Sequence, residues 1–151
     1  MEQIIQLNNQ AKLSEHFTLG EFTRSASHPE IYNIPSHEAI ANLKRLCIWL
    51  EVLRERSGGP IRINSGYRSP QLNRAIHGNA NSNHMTGCAC DIRVSGMEQA
   101  LRYAVILMDY ADESHQEFDE LLIEKNRYGA IWLHFAVRPS NNRRKILFIN
   151  A

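Results

Sequence analysis

The apolar positions of this chain fall into two rhythms. Between Ser36 and Ser57, Ile40, Leu43, Leu46, Cys47, Leu50 and Leu53 recur at helical spacing, and Gly58-Gly59 supplies a stop. This predicts a long helix whose stripe includes Cys47 as packing rather than as a reactive thiol. A second helix is expected after Ser95, with a capping box from Ser95 to Glu98 and a buried face marked by Met97, Leu101, Val105 and Met108. Shorter helices are expected after Thr18, which forms a capping box with Glu21, and from Ser69-Pro70 to Ile76, with Ser69 as N-cap and Pro70 at the first helical position.

Elsewhere the period is two. "IRIN" after Pro60, Cys88 to Val94, "FDELLIE", "IWLHFAV" and "RRKILFI" read as strands. In the second of these, Cys88, Cys90, Ile92 and Val94 share one face and Ala89, Asp91 and Arg93 the other. In "IWLHFAV", Ile131, Leu133, Phe135 and Val137 alternate with Trp132, His134 and Ala136, so His134 points away from the oily side. Residues 77–87, "HGNANSNHMTG", are read as loop. The sum is an α+β fold: one domain over residues 1–151, with a mainly antiparallel sheet and helices packed on one side.

Composition narrows the class. A chain of 151 residues with 43% hydrophobic side chains can bury a core without staples. Seventeen basic against sixteen acidic residues leave a charge of +1, which argues for no nucleic-acid partner. Three cysteines, Cys47, Cys88 and Cys90, do not make a disulfide framework. The start, "MEQIIQLNNQAKLSEHF", does not read as a secretory signal, and no apolar run approaches the ~20 residues a bilayer requires. The expectation is a cytoplasmic protein as synthesised, with no membrane insertion. No apolar stripe is left over for oligomerisation, so a monomer is expected.

The candidate chemistry sits in "SNHMTGCACD". The two cysteines lie with the core face, leaving His84 and Asp91 as presented groups seven positions apart, with Gly87 between them. A loop histidine can fold back over the strand that follows it. His134 is the third ligand available on a polar strand face, and two imidazoles with one carboxylate leave a zinc position for water. On the residues alone, a loop histidine and a satisfied surface aspartate remain an equal alternative.

The segments "INSGYRSPQLN", "SNHMTGCACDI" and "WLHF", in this order, resemble the zinc D-Ala-D-Ala carboxypeptidase family, most closely its short, phage-like branch. The resemblance runs from "HFTLGEF" to the final strand. It implies the fold shared with the hedgehog signalling domain, a Zn2+ cofactor held by His84, Asp91 and His134, and peptidoglycan peptides as substrate. The action would be that of a D,D-carboxypeptidase or an endolysin-type endopeptidase, which fits release to the cell wall as a phage-type lysin. Ser82 and Arg68 fall on the family's motif serine and arginine, and both are assigned to substrate binding, with Arg68 also stabilising the developing oxyanion.

Many relatives place a glutamate three residues before the last histidine ligand; here that residue is Ile131, which alternation turns toward the core. Glu124 is the substitute candidate for general base. It would share the site face if its strand pairs antiparallel with the next, setting Glu124 opposite Trp132 and Leu122 opposite His134. A register shift of one would instead make it a solvated strand-end carboxylate. Trp132 is a candidate for stacking on substrate, and His77 and Asn79 border the ligand loop. Two other readings stand beside the enzyme: a zinc-stabilised module without catalysis that binds cell wall or protein, and a metal-free structural domain.

Overall fold

The computed structural model describes residues 8–25 and 27–150. The first seven residues of the stretch read against a secretory signal lie outside this range. Four α-helices, α1 (Leu19–Thr23), α2 (His37–Ser57), α3 (Pro70–Ala75) and α4 (Met97–Ser114), accompany five strands. The strands are β1 (Ile63–Ser65), β2 (Ala89–Arg93), β3 (Glu120–Lys125), β4 (Ile131–Ala136) and β5 (Lys145–Asn150), in the sheet order β1-β2-β4-β3-β5. Every pairing is antiparallel except β3 with β5, which is parallel. The result is the expected α+β fold, with a mainly antiparallel sheet covered by helices on one face.

Local signals explain the helix ends. Ser36 accepts from the Ala39 N–H at 3.1 Å, and Gly58 closes α2 in the left-handed conformation. Ser69 accepts from the Leu72 N–H at 3.1 Å, one residue before Pro70. At α1 the Glu21 carboxylate reaches back to the Thr18 N–H at 3.1 Å.

The covered face is built from Cys90 and Ile92 on β2, Leu121 and Ile123 on β3, and Leu133 and Phe135 on β4, all buried. Against it α2 lays Leu43, Leu46, Cys47, Trp49, Leu50 and Leu53. Trp49 is the hub: its ring meets Phe135 at 5.5 Å, Phe118 at 6.2 Å and Tyr110 of α4 at 4.9 Å, mostly edge to face. All three cysteines are free and buried, and burial pushes the Cys47 thiol up to about 12.

Two expectations about α4 are corrected. Its buried face is Ala100, Tyr103, Ala104, Leu107 and Ala111, whereas Leu101 and Val105 are each 51% exposed. Met97 and Met108 pack partly buried against the core as expected, but the stripe is centred on Tyr103, Ala104 and Leu107, which turns Leu101 and Val105 outward. The N-cap is Gly96, without a side-chain bond, and the Ser95 N–H instead donates to the Gln99 side chain at 2.7 Å. In the expected loop 77–87, residues Asn83–Thr86 form one turn of 3-10 helix.

Candidate metal centre

The open face of the sheet carries the residues left over from the core. Alternation puts Asp91 of β2, His134 of β4 and Leu122 and Glu124 of β3 on this side. Asp91 pairs directly with His134, and His134 with Leu122. Glu124 lies opposite Trp132, the register that sets all four on one face.

His84 reaches the same place from the 3-10 turn. Ser82 caps that turn by accepting from the His84 N–H at 3.1 Å, and Gly87 ends it with φ +77°. A Cβ at Gly87 would stand 2.4 Å from the Ala39 carbonyl oxygen, so glycine is required both for the left-handed turn and for contact with α2. A Cβ at Gly66 would stand 2.7 Å from Phe22, and the Gly66 carbonyl accepts from His84 Nδ1 at 2.7 Å. The Arg68 N–H donates to the His84 carbonyl at 3.0 Å, tying the "SGYR" turn to the ligand turn.

Those bonds select the ring atoms that converge. With Nδ1 engaged by Gly66, His84 presents Nε2, which lies 3.4 Å from Asp91 Oδ1. His134 shows the opposite arrangement: Nε2 meets Glu120 Oε1 at 2.9 Å while Nδ1 lies 3.1 Å from the same Asp91 oxygen. One atom from each of His84, Asp91 and His134 lies within 4.8 Å of the others, a group that could hold a metal ion. Each imidazole has its second nitrogen fixed by an oxygen acceptor, the support a metal-ligating histidine requires. Two nitrogens, one carboxylate oxygen and a buried setting fit zinc with an open fourth position.

The electrostatics describe a site short of positive charge. Burial alone would push the Asp91 carboxyl up, but the His84 and His134 imidazoles hold it well below the carboxylate range. Burial opposes the charge on His134 as well, yet its bonds to Asp91 and Glu120 raise it to about 10. Both shifts have one cause, carboxylates and imidazoles that face each other around a place a cation can take.

A cavity of about 510 Å³ opens over the triad. Arg68, Ser82 and Glu124 line it, as does Asn79, while Trp132 and His77 do not. Arg68 donates from Nη2 to Asp91 Oδ2 at 3.3 Å and from Nε to Ser65 at 3.3 Å. Glu124 is half-buried, and burial together with the Asp91 charge raises its carboxyl above the ordinary value. Ile131 packs against the core, away from the site.

Three participants escaped sequence reasoning: Glu120, Asn83 and Asp119. Asn83 donates from one amide nitrogen to Asp119 at 2.8 Å and to Glu120 at 2.6 Å. It thereby steadies the carboxylate that holds His134. Asp119 is fully buried and is clasped by Arg143 through two guanidinium nitrogens, at 3.0 and 2.8 Å. Strand alternation could have found Glu120, since it lies two residues before Leu122 on the face of His134.

A family model described as Peptidase M15 matches residues 15–119. The match takes in Arg68, Ser82, His84 and Asp91 and stops before Glu120, Glu124 and His134. No curated protein matches the chain.

Proposed function

The chain belongs to the peptidase M15 family, whose members are zinc-dependent metallopeptidases, and from that premise we propose that it hydrolyses amide bonds in peptidoglycan peptides, as a D,D-carboxypeptidase or a lysin-type endopeptidase. The observation that carries this reading is the convergence of His84 Nε2, Asp91 Oδ1 and His134 Nδ1 from three separate elements, each histidine with its other nitrogen engaged. The cell-wall substrate rests on the resemblance of "SGYRSP", "SNHMTGCACD" and "WLHF" to the carboxypeptidase branch.

These three residues would hold the zinc, which when bound would supply a Lewis acid for the scissile carbonyl and a water made acidic near neutral pH. Glu124 is the general base: its raised proton affinity suits it to take the proton of the attacking water and hand it to the leaving amine. Arg68, braced by Ser65 and Asp91, faces the cavity with a planar guanidinium suited to a substrate carboxylate or to the oxyanion. The Ser82 oxygen is occupied as acceptor from His84, so its hydroxyl hydrogen is what it offers a substrate. Trp132 stands across from Glu124 outside the cavity lining, beside the base. Glu120 is a positioning residue, because its carboxylate holds the Nε2 edge of His134 and so directs Nδ1 to the ion.

The test is metal analysis of purified protein together with cleavage of a muropeptide. The expected result is one zinc per chain and, for Glu124→Gln, retained zinc with kcat lowered about 10²- to 10⁴-fold. Zinc-loaded wild-type protein that cleaves nothing would refute the hydrolase and leave the zinc-stabilised binding module, a reading favoured by Ile131 standing where many relatives carry a carboxylate. Failure to take up zinc would refute both.

A further inference from the structure

The cavity over the triad has two cationic walls. Arg68 stands beside β1 and β2, while Arg138, Arg143 and Lys145 stand at the opposite end, around the start of β5. This second wall is built. Arg138 Nε donates to Asn83 at 2.9 Å and lies 3.2 Å from Asp119, and Arg143 engages Asp119 through Nε and Nη2. The buried Asp119 therefore fixes one edge of each guanidinium. Among the described residues, the terminal nitrogens of Arg138, Nη1 of Arg143 and Nζ of Lys145 have no protein partner.

The charges on this wall do not balance. Asp119 and Glu120 face three cations, and Glu120 also serves His134 and Asn83. An excess of positive charge remains at the mouth of the cavity, on Arg138 and Arg143, whose guanidinium edges Asp119 holds, and on the exposed, unpartnered Lys145. Such a wall recognises a carboxylate with little further loss of side-chain freedom.

Its position sets where the carboxylate must be. Lys145 pairs with Glu120 in the β3–β5 register and so shares the site face, and β5 lies two strands from β4, which carries His134. Glu120 pairs with Ala136, two residues along β4 from His134, so two strand spacings combined with that offset come to roughly 12 Å, the length of a little over three residues of extended peptide.

We propose that Arg138, Arg143 and Lys145 form an anion subsite that takes a free carboxylate of the peptide substrate, about three residues from the scissile amide. This deepens the peptidase reading and rests on it for the identity of the bond that is cut. The protein then selects acidic peptides over their amidated counterparts, and a substrate spans the cavity from Arg68 to Lys145 with the triad between.

The experiment uses the zinc-loaded full chain and two synthetic peptidoglycan stem peptides, identical except that the carboxylate is free in one and amidated in the other. Equilibrium binding of each is measured, and cleavage is scored separately. The acidic peptide is expected to bind about tenfold more tightly at low ionic strength, with the preference shrinking as salt rises. Lys145→Met removes a cation with no internal partner, and Arg138→Gln removes one while its amide can still reach Asn83; each should lower the affinity ratio by about twofold or more. Equal affinity for the two peptides, or a ratio unchanged in both variants, overturns the subsite. Preferential binding without cleavage overturns the hydrolase and spares the subsite, whereas cleavage without preference does the reverse.

Discussion

The two faces of the sheet are held by different physics. On the helix side Trp49, Phe118, Phe135, Leu107 and their neighbours exclude water through apolar area, and each contact is replaceable in kind. On the open side His84, Asp91, Asn83, Asp119 and His134 are also buried, but each is tolerated only because another polar group answers it. The first face fixes stability broadly. The second fixes a few atoms in position, and losing one partner there leaves its neighbour unsatisfied.

The largest effect that separates the faces comes from Phe135→Ala. Phe135 lies on the core side of β4, one residue from His134, and packs on both Trp49 and Phe118. Its truncation should cost about 3–5 kcal/mol of stability. Zinc affinity measured well below the melting transition should stay within a factor of about three, because no ligand atom depends on this ring. Comparable loss of zinc affinity in that variant would show that the two faces are not separable.

Glu120→Leu attacks the open face with a smaller expected effect on stability and a specific one on the metal. Without the Glu120 acceptor, the His134 ring is free to turn and Nδ1 is no longer directed at the triad. Zinc affinity should fall about 10- to 100-fold, the usual cost of losing an outer partner of a ligating histidine. Glu120→Gln keeps an oxygen acceptor for Nε2 and should restore most of the affinity, which a general loss of folding would not allow. Competition with a chelating dye reads both variants, and an unaltered affinity in Glu120→Leu would remove the residue from the site's support.

How much of this was visible beforehand follows from how local each determinant is. The β3–β4 register could be read because both strands alternate cleanly and only a short connection separates them, so Glu124 opposite Trp132 was accessible from sequence. The buried face of α4 was not. Leu101 and Val105 advertise hydrophobicity, while the contacts centre on Tyr103 and Leu107 flanked by Ala100, Ala104 and Ala111, small residues that a count of large apolar side chains passes over. The parallel pairing of β3 with β5 joins segments with no local signal, and the Asn83–Asp119–Glu120 cluster joins the 3-10 turn to the start of β3 across a long sequence separation. His84, Asp91 and His134 could be picked out because ligands must be specific residue types. Asn83 and Asp119 could not, since any buried polar group serves until its partners are known.

The acid limb of stability gives the subtlest contrast. The buried Asp119 carboxyl, although burial alone would raise it, is held down to about 2 by Arg143, Asn83 and Arg138. In the unfolded chain it returns to the ordinary value near 3.9. The native state therefore gains stability from this group above about pH 4 and loses it as pH falls through about 2, on the order of 2 kcal/mol in full. Asp119→Asn removes the ionisation and leaves Arg138 and Arg143 without their shared anion, so it should lower stability at neutral pH and flatten the decline between pH 4 and 2 relative to wild type. The comparison is made by urea unfolding of the metal-free proteins across that range. Parallel pH profiles would mean that Asp119 carries no differential charge stabilisation, and the open face would then depend on its other buried groups alone.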